Sequence, residues 1–298
     1  MHTLLYLSLA PVIALIIMFY LYDRYEPEPK KIVFKVFAFG IVSVLPAIIM
    51  ELILMPVFKY REGNLNLLSL FIAMFFAVAL VEELCKFAVI ISGIYKSWEF
   101  DEPYDGIVYT VAASLGFAAF ENILYVFNMG IAVGILRALI TVPGHALYGA
   151  LMGYFIGLSK FRRNRTSLLL WGLFLATLGH AIFDTLAFSR NPWLVLSIFP
   201  FIGFLWIVVF LLARHSQSLS IYRYNPQKEG AAPGSDKTCR ACGYSVPSDK
   251  GICSKCGTPA EEPPGAADAA LQENTAPTGE ENHLEGNGEK GAESDGRA

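Results

Sequence analysis

Seven long apolar runs occupy the first 213 residues of this 298-residue chain and constrain its fold more than any other feature. Each run approaches or exceeds the ~20 apolar residues that a helix needs to cross a bilayer. Within lipid such a run must be helical, because hydrocarbon offers no hydrogen-bond partner to free backbone groups. The sequence therefore predicts an all-α polytopic membrane helix bundle. The runs cover residues 3–22, 32–55, 67–95, 107–127, 131–158, 167–188 and 193–213.

The charged residues agree with a membrane location. Only 16% of the chain is charged and 54% is hydrophobic, whereas a soluble domain carries ~25% charged residues. Lys and Arg are concentrated in the first, third and fifth loops, which predicts an outside N-terminus and a cytoplasmic C-terminus in the cell membrane. The first run lacks a basic leader and is followed by Asp23-Arg24, so no cleavable signal peptide is expected.

Composition also divides the chain into four segments. We expect a transmembrane bundle over 1–213, a linker over 214–236, a zinc ribbon over 237–259 and a disordered tail over 260–298. Residues 257–298 contain ten acidic residues, two basic residues and no aromatic residue. Such a segment has too little apolar surface to offset the entropy of folding.

The third run contains the motif Glu82-Glu83-x-x-Lys86 in the middle of its apolar sequence. On a helix, Lys86 lies four residues from Glu82 and three from Glu83, so the three side chains can meet. An ionisable group at the bilayer centre costs at least ~2.5 kcal/mol, and helix formation does not need it. We interpret the motif as a functional polar site that faces the protein interior. The alternative is a structural ion pair that fixes helix packing.

Three further runs carry ionisable groups at a similar depth. The fourth holds Glu121, four residues before Tyr125, and the fifth holds His145. The sixth holds His180 and Asp184, which lie one turn apart on one helix face. Polar groups on four helices at one depth imply a shared cavity.

Glycine recurs every fourth residue after His145, at positions 149, 153 and 157. Such a row makes a groove in which another helix can pack closely, so His145 should face the bundle. Glu51 and Arg137 fall near the ends of their runs, and we assign them to the outer face, where snorkelling or pairing explains them. The first loop, residues 23–31, is interpreted as solvated, and the alternative is that its charges form a rim to the site.

In this order, the motifs resemble the PrsW family of intramembrane proteases. The motifs that carry the resemblance are Glu82-Glu83-x-x-Lys86, Phe120-Glu121-x-x-x-Tyr125, His145-x-x-x-Gly149, His180-x-x-x-Asp184 and the opening Asp23-Arg24-Tyr25-Glu26-Pro27-Glu28-Pro29. The resemblance covers residues 1–213 and implies hydrolysis of peptide bonds in membrane-protein substrates, such as an anti-sigma factor. Related type II CAAX prenyl endopeptidases usually have His where this chain has Glu121.

Two mechanisms remain open for a protease with these residues. In one, Glu82 or Glu83 activates water without a metal, because a buried Glu can serve as a general base. In the other, His145, His180 and a carboxylate hold a second Zn²⁺. The absence of His-Glu-x-x-His slightly favours the first. A third alternative is a non-enzymatic protein whose polar core forms an ion or proton path or a scaffold.

Two Cys-x-x-Cys pairs lie near the C-terminus, Cys239 with Cys242 and Cys253 with Cys256. Their spacing is typical of a zinc ribbon in which Zn²⁺ supplies the folding energy. A cytoplasmic location disfavours the disulfide alternative. Such ribbons usually bind partners or regulate, so a protein partner is one possible role, and the few basic residues give no strong nucleic-acid signal. The fifth cysteine, Cys85, is not expected to be a nucleophile.

Overall fold

The computed structural model of the protein describes residues 2–58, 66–220, 222, 237–239, 245–246 and 253. Within these residues, seven helical segments are long and apolar enough to cross a bilayer, which confirms the predicted architecture. The segments are Thr3–Tyr22, Lys30–Val57, Leu67–Gly93, Asp105–Met129, Ile131–Phe161, Arg165–Ala187 and Pro192–Ser218.

Several of these segments are divided into shorter elements. The helices are α1 (His2–Tyr22), α2 (Lys30–Val42), α3 (Val44–Val57), α4 (Leu67–Ala73), α5 (Leu80–Gly93), α6 (Asp105–Met129), α7 (Ile131–Leu136), α8 (Val142–Phe161), α9 (Arg165–Ala187), α10 (Pro192–Leu196) and α11 (Ile198–Ser218). The last helix therefore extends five residues into the segment predicted to be a linker.

Helix α6 is the centre of the membrane unit. It packs against α1, α2 and α8, and its residues from Asp105 to Ala119 are all buried. This stretch is rich in Gly, Ala and Ser, and small residues let helix backbones approach closely in a membrane, where packing drives association.

The predicted glycine groove on α8 is confirmed. A Cβ atom at Gly153 would overlap the backbone oxygen of Gly106 on α6, and one at Gly157 would overlap that of Pro103. A Cβ atom at Gly149 would meet Ser114 Oγ. The close packing of α8 on α6 therefore depends on these positions being glycine, which has no side chain.

Two π-helical segments interrupt the helices that carry the polar motifs. Met74–Ala79 joins α4 to α5 just before Glu82, and Arg137–Thr141 joins α7 to α8 just before His145. A π segment adds a residue to a turn and so changes the direction of the side chains that follow, and such segments often occur at functional sites. The sequence analysis assumed the 3.6-residue period of a regular α-helix, and that period does not predict π segments.

Two carboxylates of the first loop are buried, contrary to the expectation of a solvated loop, while most of its other residues are exposed. Asp23 is only 5% exposed and Glu28 only 2%. The Tyr20 hydroxyl donates to the Glu28 backbone oxygen at 2.9 Å, and the Tyr109 hydroxyl donates to the Glu28 carboxylate. The loop is therefore held against α6.

Burial has an electrostatic consequence for this loop and for the loop before α6. It raises the pKa of Asp23 to about 6, and of Glu28 to about 8. The backbone N–H groups of Tyr25 and Glu26 partly offset the pKa rise at Asp23, although neither reaches hydrogen-bonding geometry. Burial, with nearby carboxylates adding to the effect, also raises the pKa of Glu102 to about 7.

The C-terminal unit is described only in part. Strands β1 (Lys237–Thr238) and β2 (Ser245–Val246) pair antiparallel, and Cys239, Val246 and Cys253 are buried together. Cys242, Cys256 and the predicted disordered tail lie outside the described residues.

We predict that Gly153→Ala lowers the stability of the membrane unit, because the new methyl group overlaps the Gly106 carbonyl. Overpacking of this kind costs about 1–3 kcal/mol. The measurement is the melting temperature of the purified chain in detergent. Gly203→Ala on α11 is the matched control, since a Cβ there meets nothing within 4 Å. Equal melting temperatures for the two variants would contradict the close approach of α8 and α6.

Candidate active site

The Lys86 ammonium is the centre of the polar cluster. Its Nζ lies 3.1 Å from Glu82 Oε2, 2.8 Å from Glu83 Oε1 and 3.1 Å from His145 Nδ1. The side chain is completely buried, and Nζ also lies 4.3 Å from the centre of the Phe117 ring. An ammonium has three donors and no acceptor, so these three partners use its full capacity.

This geometry fixes the tautomer of a neutral His145. Because Lys86 can only donate, His145 Nδ1 accepts, and the ring proton is on Nε2. His145 Nε2 faces Glu121 Oε2 at 3.0 Å. The Arg137 guanidinium lies 3.3 Å from the same oxygen, and its Nε donates to Asn122 Oδ1 at 2.9 Å.

Arg137 therefore belongs to the polar centre, whereas the sequence reasoning left it at the outer face. It is only 8% exposed and also stacks 4.1 Å from the centre of the Tyr125 ring. The π segment that begins at Arg137 contributes to this placement. Pairing with Glu121 explains its burial, and snorkelling does not.

His180 has a different principal partner from the one predicted. Its Nδ1 lies 2.9 Å from Glu83 Oε1, while its Nε2 lies 3.5 Å from Asp184 Oδ2. The predicted pair on one helix face is present, but the closer carboxylate comes from α5. Contacts between helices depend on how each helix is rotated and shifted relative to its neighbour. The spacing of residues within one helix gives no information about either.

A cavity of about 520 Å³ opens beside these groups. Glu82 and His180 line it, but Glu83 and Lys86 do not. The other ionisable or hydroxylic groups among its lining residues are Glu51, Glu121, Tyr125, Arg137, Thr141, His145, Tyr148 and Asp184. Glu51 was assigned to the outer face, and the structure instead includes it in the cavity wall.

Tyr148 is a cavity residue that the sequence reasoning did not select. Its ring stacks on His180 with centroids 5.0 Å apart, and its buried hydroxyl has no hydrogen-bond partner within the described residues. It lies one turn after His145, on the same face of α8. That spacing was the available signal, but an aromatic residue on a membrane helix is usually a packing residue.

Three side chains of the cluster also match a metal site. Glu82, His145 and His180 each offer a ligand atom, and these atoms lie within 4.8 Å of one another. Two His and one carboxylate are the ligands of several catalytic zinc sites. Glu83 on His180 Nδ1 resembles the carboxylate–His pairs that orient metal ligands. His145 fits less simply, because both of its ring nitrogens already face Lys86 and Glu121.

Cys85 is half-buried against the small cluster of Val44, Ala47, Val81 and Phe117. It is not among the residues that line the cavity.

Seven segments able to span a membrane, six of which line a cavity that contains carboxylates and imidazoles, define a polytopic membrane protein with a polar interior. The family model described as PrsW family intramembrane metalloprotease matches residues 28–213. The chain belongs to this family, as its motifs indicated.

Curated relatives agree with the family match. Protease PrsW of Geobacillus kaustophilus (strain HTA426) is 39% identical over 194 residues, which cover 65% of this chain and 83% of the relative. Protease PrsW of Bacillus subtilis (strain 168) is 33% identical over 223 residues, or 74% of this chain and 99% of the relative. No solved structure matches the chain. These relatives support a membrane-embedded peptidase over an ion path or a scaffold.

We predict that Lys86→Met destabilises the chain strongly, because Glu82 and Glu83 lose their cation inside the protein. Removing one partner of a buried ion pair costs about 3–5 kcal/mol. Thermal unfolding in detergent measures the effect. Lys35→Met is the control, since Lys35 is exposed on α2. An unchanged melting temperature for Lys86→Met would show that the three-way contact does not hold the helices together.

Proposed function

We propose that the membrane unit hydrolyses peptide bonds of membrane-protein substrates and that Glu82 activates the attacking water. The observation that carries this proposal is the position of the Glu82 carboxylate. It lines the cavity, and it lies beside His145 and His180 with ligand atoms of all three within 4.8 Å of one another.

The two adjacent carboxylates receive different roles in this mechanism. Glu82 takes a proton from water in the cavity and returns it to the leaving amine, as a general base and then a general acid. Glu83 does not line the cavity; it holds the Lys86 ammonium and His180 Nδ1. It is therefore a positioning residue.

Two groups are placed to stabilise the oxyanion that forms during attack. His180 in its imidazolium form donates through both nitrogens. Its Nδ1 faces Glu83, so Nε2, which lies 3.5 Å from Asp184 Oδ2, is the donor for the oxyanion. The Tyr148 hydroxyl has a proton to donate and no partner within the described residues. Donors that are fixed before the reaction are worth about 10²–10³ in rate each. Glu121 with Arg137 fixes His145, and Asp184 flanks His180.

A catalytic Zn²⁺ is compatible with the same residues. Glu82, His145 and His180 would hold it, and His145 would exchange its contact with Lys86 or Glu121 for the metal. When bound, Zn²⁺ supplies a Lewis acid that acidifies water and polarises a carbonyl. In that case Glu82 is a ligand, and its loss lowers the metal content as well as the rate.

The apolar remainder of the cavity wall supports a membrane-protein substrate. Val44, Ile48, Phe117 and Phe183 are among the lining residues. These side chains present an apolar surface to an entering segment, while the carboxylates and imidazoles surround the bond to be cut.

We predict that Glu82→Gln lowers the cleavage rate by ~10²–10⁴, because the amide keeps the shape of the side chain but cannot accept the proton. His180→Ala should lose activity to a similar degree. The assay follows cleavage of a membrane-anchored reporter in liposomes by the full chain. Glu99→Gln, at an exposed acid outside the cavity, is the control.

Metal content of the same samples separates the two mechanisms. With Glu82 as a base alone, the membrane site holds no zinc in either form. With Glu82 as a ligand, Glu82→Gln loses one zinc per chain and Glu99→Gln does not. Wild-type cleavage by Glu82→Gln would overturn the proposal, whatever the activity of Glu83→Gln.

We further propose that Cys239, Cys242, Cys253 and Cys256 hold one Zn²⁺ through thiolates. The supporting observation is the pairing of β1 with β2 and the joint burial of Cys239 and Cys253. The family match ends at residue 213, before this unit begins, so the ribbon is an addition to the protease. A unit this small has little apolar core, and a structural zinc typically supplies its folding energy.

We expect the double variant Cys239→Ser/Cys253→Ser to contain one zinc per chain fewer than the wild type. Thiolates bind zinc far better than hydroxyls do. Elemental analysis of the full chain purified under reducing conditions gives the number. Cys85→Ser is the matched control and should keep the wild-type content. Equal zinc in the double variant and the control would rule the ribbon out.

A further inference from the structure

A second group of buried carboxylates lies at the other end of α6 from the cavity. Asp105 begins α6 and Glu121 is sixteen residues further along, so the two centres are about 24 Å apart along the helix axis. We call the group the acidic cluster. Its members are Asp23, Glu26, Glu28, Asp101, Glu102 and Asp105.

Three members of the acidic cluster converge on one point. Asp23, Glu102 and Asp105 each offer an oxygen, and these oxygens lie within 4.8 Å of one another. Oxygens bound to one Ca²⁺ at 2.3–2.6 Å lie at most ~5 Å apart. Asp23 is 5% exposed, and Glu102 and Asp105 are fully buried. Solvent therefore does little to offset their mutual repulsion.

Asp105 and Glu102 each use one oxygen for the protein and leave the other without a partner within the described residues. Asp105 Oδ2 accepts from the backbone N–H groups of Asp101 and Glu102 at 2.7 Å each, and Glu102 Oε2 accepts from Ser220. The opposite oxygens, Asp105 Oδ1 and Glu102 Oε1, have no hydrogen-bond partner within the described residues.

Glu28 and Asp23 also have oxygens without a hydrogen-bond partner in the described part of the chain. Glu28 Oε2 accepts from Tyr109, whereas Glu28 Oε1 and both oxygens of Asp23 lack a partner among residues 2–58 and 66–220. Hydrogen bonds to one oxygen orient a carboxylate in the way that outer contacts orient a metal ligand. A buried polar atom without a partner costs free energy, and a charged one costs more.

Within the described residues, no cation makes a close ion pair with the acidic cluster, although Lys160 interacts with Asp105, Asp101 and Glu28 at longer range. None of the ion pairs within 4.0 Å in this part of the chain involves these six carboxylates. Lys160 is the ammonium on the neighbouring end of α8, and its Nζ donates to the Ser97 backbone oxygen at 2.8 Å. A ligand with positive charge would supply the close partner that the described residues lack.

We propose that Asp23, Glu102 and Asp105 bind a hard divalent cation, Ca²⁺ or Mg²⁺. All donors are oxygens, with no His or Cys among them, and that set suits hard cations and not zinc. Asp23 belongs to the loop after α1, Glu102 to the loop before α6, and Asp105 to the first turn of α6. Ser220 holds Glu102 from beyond α11, so the cation fixes these loops to the end of the last helix.

The test is isothermal titration of the full chain in detergent, stripped of metal with a chelator, with CaCl₂ and separately with MgCl₂. We expect one saturable site, with a Kd below about 1 mM for at least one ion. Asp23→Asn/Glu102→Gln should weaken binding at least tenfold. Glu99→Gln, at an exposed acid on the same loop, should bind as the wild type does.

A second measurement guards against a variant that fails to fold. Removing two repelling charges should leave the metal-free melting temperature unchanged or higher, while the rise on adding the ion disappears. Absence of saturable binding by the wild type up to about 10 mM of either ion would overturn the proposal. The carboxylates would then relieve their repulsion by sharing protons and not by binding a cation. Wild-type affinity in Asp23→Asn/Glu102→Gln would place the binding elsewhere and also overturn it.

Discussion

The polar interior of this protein depends on one buried ammonium. Lys86 donates to two carboxylates on its own helix and to His145 on α8. Glu83 continues the network to His180 on α9, and His145 continues it to Glu121 on α6 and then to Arg137. In a low-dielectric interior each unpaired member would carry a large penalty, so the contacts stabilise the helix arrangement only as a complete set.

Close helix packing and local irregularity bring this network together. Because Gly153 and Gly157 have no side chain, α8 can approach α6 closely at one end of the bundle. At the other end, π segments precede both Glu82 and His145 and change the direction in which these side chains point. A regular pair of helices with larger residues would hold the same groups further apart.

The parts of the fold and site that were predictable are those contained within one segment. Hydropathy located the seven spans, and helical spacing paired Lys86 with its two neighbouring carboxylates and His180 with Asp184. The individual side-chain contacts between segments escaped prediction, although the glycine groove of α8 and a cavity shared by several helices did not. The contact of Glu83 with His180 and that of Arg137 with Glu121 depend on helix rotation and register, and Asp23 is buried by a loop that folds back onto α6. None of these contacts produces a periodic pattern in the sequence.

The adjacency of Glu82 and Glu83 is itself informative. Successive residues on a helix point about 100° apart, so two neighbouring carboxylates cannot face one cavity equally. One of them lines the cavity, and the other is completely buried against Lys86 and His180. The arrangement lets a single helix turn supply a group exposed to substrate and the group that holds its neighbours in place. A lone carboxylate in the cavity would lack this support, because Lys86 and His180 would each lose a close partner.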